Sequence, residues 1–101
     1  MNFAKIERKV IDWGTERDIY LKSGPLGQYT KLMEEANELL KGIYKYSPYD
    51  IKDSIGDMLV VLTGIAHMYD LDLTSCYLQA CEEIKNRKGK VVDGIFVKEE
   101  R

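Results

Sequence analysis

An all-α, antiparallel four-helix bundle is the fold this sequence predicts, and three observations carry that expectation. Apolar residues recur at helical spacing almost everywhere along the 101 residues. The breaks between periodic segments are short clusters of Gly, Pro, Ser and Asp, which leave neighbouring helices antiparallel. One segment, MLVVLTGIA, is apolar on nearly all sides and so belongs inside the others.

The first helix is expected from about Phe3 to about Leu21, with Phe3, Ile6, Val10, Trp13 and Arg17 on one side. Ser23-Gly24-Pro25 breaks it, and Pro25 suits the first turn of a second helix running to about Gly42. The apolar stripe there is Leu32, Ala36, Leu39, Leu40 and Ile43. A third helix starts at Ser47-Pro48-Tyr49-Asp50: a hydroxyl N-cap, a proline at the first helical position and an acid in the first turn. It runs to about Tyr69 and should be the most buried. After Asp70-Leu71-Asp72, a fourth helix is expected from about Thr74 to Lys88, stopped by Gly89. The tail, KVVDGIFVKEER, is β-type around Asp93-Gly94 and reads as a short hairpin or an extended arm. The polar first helix looks too thin to cover the third alone, which points to a partner subunit.

Composition narrows the function classes. Fifteen Lys and Arg against seventeen Asp and Glu leave a formal net charge of −2, with 45% apolar and 32% charged residues. This is the balance of one globular domain over residues 1–101, not of a disordered chain. A near-neutral balance predicts no nucleic-acid or membrane-surface partner. The longest uncharged run, Met58 to Tyr69, is too short to span a bilayer. The N-terminus carries no apolar signal-peptide core. Cys76 and Cys81, about 140° apart around a helix, cannot pair within it, and thiols that stay reduced predict a cytoplasmic protein.

The informative residues are acids beside apolar faces. Gln28, Lys31, Glu35 and Glu38 form one polar stripe bordering the apolar face of the second helix, with Glu34 nearer solvent. On the third helix Asp53 and Asp57 lie one turn apart, and Asp57 directly precedes the apolar run, where exposure to solvent is not expected. Antiparallel helices would bring the two stripes together, where four acids repel unless a cation sits among them. Oxygen-only ligands suit Mg²⁺, with Mn²⁺ as the alternative. The competing explanation is a solvated helix face, with Asp53 serving only the first turn of its helix.

A second cluster, Lys85-Asn86-Arg87-Lys88-Gly89-Lys90, holds four cations in six residues. It fits phosphate binding, or ordinary electrostatics at a helix C-terminus. Trp13 suits either a core position or a stack on a base, and Arg17 either a phosphate contact or a surface ion pair. His67 has no acid at E-x-x-H spacing, so a di-iron carboxylate site is not supported. Phosphate-binding glycine loops, zinc spacings and nucleophile elbows are absent from the sequence.

The run Gln28-Tyr29-Thr30-Lys31-Leu32-Met33-Glu34-Glu35-Ala36-Asn37-Glu38-Leu39 resembles the QxxKLxEExxEL segment of the MazG-like, all-α nucleoside triphosphate pyrophosphohydrolases. In that family EExxE is followed a helix later by ExxD. Here the second motif is Asp53-Ser54-Ile55-Gly56-Asp57, again ahead of an apolar run, and the Glu expected three residues before Asp57 is Ser54. Glu83 to Lys90 is similar to the family's phosphate- and nucleotide-contacting segment, and Trp13-Gly14-xx-Arg17 and the GIFVKE end fit its small phage-type or bacterial branch. The resemblance implies Mg²⁺-dependent hydrolysis of a nucleoside triphosphate between the α and β phosphates, for nucleotide-pool clearance. It implies Glu35, Glu38 and Asp57 as metal ligands, Asp53 as a fourth in place of the missing Glu, and Glu34 or Glu38 as general base. Lys31, Lys85, Arg87 and Lys88 would bind phosphates, Asn86 the nucleotide, and Trp13 the base, with Arg17 and Gln28 also contacting substrate. A homodimer or dimer-based tetramer is implied as well. Ser54 motivates the alternative, a non-catalytic nucleotide-binding or helical protein-interaction module.

Overall fold

A computed structural model describes residues 1–99; the last two residues of the predicted tail lie outside the described residues. The chain is mostly helical, as its periodicity dictates. Helix α1 (Phe3–Glu16) is capped by Asn2, whose side chain accepts from the Lys5 amide at 2.9 Å. It ends earlier than the periodicity predicts. Asp18 adopts the left-handed conformation (φ 56°), and a four-residue helix α2 (Ile19–Lys22) follows at a new angle. Asp tolerates that conformation better than most residues. Tyr20 supplies the tertiary reason for the elbow. Its ring lies in a notch between Gly14 of α1 and Gly64 of the long apolar helix, where a Cβ on Gly64 would come within 2.9 Å of it.

Helix α3 (Pro25–Tyr44) opens on Pro25 and continues past Gly42. Helix α4 (Pro48–Met68) is capped by Ser47, which accepts from the Asp50 amide at 3.3 Å. The two pack along each other as an antiparallel pair. Near the connection a Cβ on Gly42 would stand 3.2 Å from the Ile51 nitrogen, so the missing side chain lets the backbones approach. Helix α5 (Leu73–Ile84) is capped by Asp72, which accepts from the Ser75 amide at 2.7 Å and hydroxyl at 3.0 Å. It stops four residues before the expected Lys88. Gly89 does not end a helix but begins a strand.

That strand, β1 (Gly89–Val92), pairs antiparallel with β2 (Ile95–Lys98), Val92 opposite Ile95 and Lys90 opposite Val97. Asp93 (φ 52°) and Gly94 (φ 79°) make the two-residue turn. Two successive positive φ values match the right-handed twist of the strands, and Asp-Gly favours them. The tail is therefore a hairpin.

Helix α4 is the most buried element, as its composition predicts. Ser54, Val61, Thr63, Gly64 and Ala66 are its buried residues. Helices α1 and α5 lie against it and each other, and the carboxylate of Glu7 ties them together. Glu7 is 6% exposed and accepts from the Leu73 and Thr74 amides and from the Thr74 hydroxyl, the last at 2.6 Å. The core is thin: among the described residues, Val61 and Ala66 are the buried apolar side chains. The accessible surface is 8262 Å², whereas a folded monomer of 11.7 kDa exposes about 5,900 Å². The radius of gyration, 15.9 Å, likewise exceeds the roughly 13 Å of a compact chain this long.

Candidate acidic site and nucleotide cleft

Helices α3 and α4 run side by side with their polar stripes turned to the same edge. Glu35, Glu38, Asp50, Asp53, Ser54 and Asp57 line a cleft of about 280 Å³ there, with Lys41 and Lys45 at its margin. Four of these are the acids singled out by spacing: Glu35, Glu38, Asp53 and Asp57. Glu35 is the most enclosed, its side chain 13% exposed and 3.4 Å from Lys31. Lys31 also reaches Glu34 at 3.4 Å, and these two carboxylates hold its ammonium above the usual lysine range. Glu38 points to Lys41 at 3.2 Å.

Asp57 corrects one expectation. It is exposed, not sequestered in the apolar run, because α1 leaves that side of α4 uncovered. Partial desolvation by the surrounding chain is the main cause holding its carboxyl above the usual range. Glu35 adds to this through repulsion and a shared hydrogen bond, and Lys31 opposes it. Carboxylates that face each other across two helices repel, so the site is short of positive charge. Ser54, 4% exposed, lines the same cleft where the resemblance expects a Glu. Its hydroxyl brings no charge, so the cleft carries one carboxylate fewer than that pattern.

The donor set is all oxygen, the chemistry a hard divalent cation requires. Among the described residues, however, no group of three or more His, Cys, Asp or Glu is gathered into a ready-made metal site. Glu35 and Glu38 are turned toward lysines. Holding a cation would therefore draw these side chains away from Lys31 and Lys41 and toward Asp57.

Beside the acids opens a second cleft of about 550 Å³, lined among others by Trp13, Arg17, Tyr20, Gln28, Lys31 and Glu34. The α1–α2 elbow forms one wall and α3 the other. The Arg17 guanidinium lies 4.8 Å from the centre of the Trp13 ring and donates to the Trp13 carbonyl at 3.0 Å. That places a flat aromatic and a cation together at the rim. Gln28 donates to Ser23 at 3.0 Å. Lys31 and Glu34 join the two clefts, since Lys31 reaches both Glu34 and Glu35. Trp13, Arg17, Gln28, Lys31 and Glu34 are thus brought together.

The basic cluster is not brought to this place within one chain. Lys85 pairs with Glu82 at 2.8 Å and Arg87 with Glu83 at 3.9 Å, beyond the end of α5. Lys85, Asn86, Arg87 and Lys88 line neither cleft. His67 is exposed and packs against Tyr20 with ring centres 4.9 Å apart and planes tilted by 51°. Cys76 and Cys81 are both free and exposed. Sequence reading missed Glu7, Tyr20 and Lys41, and gave Asp50 only a place in the first turn of its helix. Glu7 alone left a trace there, a carboxylate inside the Phe3–Ile6–Val10 stripe of α1.

An uncharacterized 18.2 kDa protein from the rep-hol intergenic region of Haemophilus phage HP1 (strain HP1c1) is 40% identical over 71 residues, 70% of this chain and 44% of the phage protein. The chain therefore spans less than half the length of that relative. No solved structure matches. The model of the MazG nucleotide pyrophosphohydrolase domain matches residues 25–92, which take in both acidic stripes, the apolar helix and the basic segment. That match covers about two thirds of the chain, which therefore belongs to the MazG nucleotide pyrophosphohydrolase family.

Proposed function

We propose that this protein is a Mg²⁺-dependent nucleoside triphosphate pyrophosphohydrolase, cleaving a ribo- or deoxyribonucleoside triphosphate between the α and β phosphates to a monophosphate and pyrophosphate. The observation that carries this reading is the gathering of Glu35, Glu38, Asp53 and Asp57 in one cleft between α3 and α4, next to a cleft walled by Trp13, Arg17 and Lys31. Glu35, Glu38 and Asp57 would hold the cation, with Asp53 completing the set. When bound, Mg²⁺ offsets triphosphate charge and lowers the pKa of a coordinated water.

The remaining work falls to the chain's own side chains. Trp13 walls the base and Arg17 holds a phosphate or sugar oxygen at the rim. Gln28 and Lys31 contact the phosphate chain as it passes from one cleft to the other. Glu34 or Glu38 takes the proton from the attacking water, and the released pyrophosphate carries its negative charge toward the lysines. Lys85, Asn86, Arg87 and Lys88 serve the phosphates only if a second copy brings them there. We therefore include self-association, as a dimer or a pair of dimers, in the cytoplasm, with clearance of unwanted nucleotides as the role.

A product assay tests this. Protein with Mg²⁺ is given each common NTP and dNTP, and pyrophosphate and orthophosphate are measured separately. Pyrophosphate with a matching monophosphate is expected. Glu38→Ala should abolish its release while helical circular dichroism is unchanged; full activity in that variant would sink the ligand assignment. The uncharged Ser54 in the cleft favours a second reading, a module that binds nucleotide without cleaving it. Nucleotide-dependent thermal stabilisation with no product from any triphosphate would establish that reading instead.

A further inference from the structure

The C-terminal hairpin makes no sense as a free appendage. Every residue of β1 and β2 is exposed, and Val91, Val92, Ile95, Phe96 and Val97 are among the exposed large apolar residues. An isolated two-stranded hairpin is at best marginally stable in water. Among the described residues no helix packs substantially against this one. Its two faces differ. The pairing puts Val91 and Phe96 on one face, where the Phe96 ring lies across Gly89. Val92, Ile95 and Val97 share the other face with Lys90, and all three are exposed among the described residues.

The helical body has the opposite defect. Between α1 and α4 lies a cavity of about 560 Å³, walled by Phe3, Ile6, Val10, Leu59 and Val60 and open to solvent. Asp53 and Asp57 stand on its margin, beside Lys52. The area decides what covers these surfaces. The chain exposes 8262 Å², an excess of about 2,400 Å² over a compact monomer of its mass. A standard interface needs about 800 Å² per partner. The excess is of the size an obligate pair of identical chains buries, and larger than a short peptide or a small ligand would remove.

We infer that the hairpin is an exchange arm: the Val92–Ile95–Val97 face of one copy seats in the α1–α4 cavity of a second copy, and the reverse. Charge agrees with this. The arm brings Lys88 and Lys90 to a margin that holds Asp53 and Asp57. The inference rests on the self-association proposed above and specifies its surface.

Cross-linking of the full chain tests it, with Cys76→Ser and Cys81→Ser removing the native thiols. Val97→Cys is combined with Val10→Cys, the protein is oxidised, and products are separated without reductant. A covalent dimer should form, and neither single-cysteine variant should give it in comparable yield. Sedimentation equilibrium is run on the same proteins. A dimer in solution with no cross-link, or with the cross-link closed within one chain, would overturn the arm while leaving self-association standing. A monomer at every concentration would overturn both. As a second check, Ile95→Glu, at an exposed position that needs no refolding of the helices, should raise the dissociation constant at least tenfold; an unchanged constant would also count against the arm.

Discussion

Glu7 shows how one side chain can hold two distant stretches of chain together. Its carboxylate satisfies two amides and a hydroxyl at the start of α5, groups that a helix leaves without internal partners. Hydrogen bonds to a buried charge count for more than neutral ones, so Glu7→Ala should cost about 2 kcal/mol, read as a lower urea midpoint. A change within 0.5 kcal/mol, roughly the scatter of surface substitutions, would show that α5 docks without it. Asp72, at the same helix end, makes a pH prediction. Its pKa is lowered because the carboxylate accepts from the Ser75 amide and then from the Ser75 hydroxyl. A lowered pKa stabilises the fold above the unfolded-state value, and that stability is lost as pH falls through the folded-state value. Asp72→Ala should therefore be less stable than the parent at neutral pH. The gap should begin to narrow below the ordinary carboxyl value of 3.8 and close as the pH falls through the lower folded-state value. Urea unfolding of both proteins at the two pH values checks it, and a gap that widened on acidification would contradict the cap.

At the scale of elements, the break between α1 and α2 matters more to the site than any helix length. It sets α2 beside Trp13 and Arg17 at the end of α1, so that wall of the second cleft depends on the elbow. Tyr20 fixes the elbow by filling the Gly14–Gly64 notch, and burial raises its phenol pKa. A methyl group on Gly14 would collide with the Tyr20 hydroxyl end, while Gly64 blocks retreat of the ring. Gly14→Ala should thus destabilise by about 1–3 kcal/mol despite the better helix propensity of alanine. The same substitution in a Tyr20→Ala background should cost less, and a double-mutant cycle measures the coupling. Equal costs in both backgrounds would mean the notch does not clamp the ring.

For the whole molecule, the balance of surface and core governs behaviour. Two buried apolar residues do not make a core that stabilises 101 residues alone, so folding and association should be linked. The melting temperature should then rise steadily with protein concentration over two orders of magnitude. A concentration-independent melt would mean the thin core suffices. The proposed association would also account for the acid cleft and the apolar cavity, which meet at Asp53 and Asp57 and stand open in a single chain.

Periodicity and caps were enough to determine the helical class, the burial of α4, the Ser47-Pro48 start and the pairing of the two acidic stripes. Each of these depends on residues within a turn or two of one another, or on one face of one helix. The sequence also placed Glu35, Glu38, Asp53 and Asp57 on that shared edge, because an antiparallel pair with a short connection leaves little choice of register. Tertiary structure alone decided the rest. The elbow at Asp18 depends on Tyr20 meeting Gly64, 44 positions away, and the role of Glu7 depends on Leu73 and Thr74. The early end of α5 and the distance of Lys85 to Lys88 from the acids follow from how α5 docks, not from its own residues. Exposure of Asp57 was likewise invisible locally: its neighbours are apolar, but whether they are covered depends on what packs against α4, and one chain does not supply enough surface to do it.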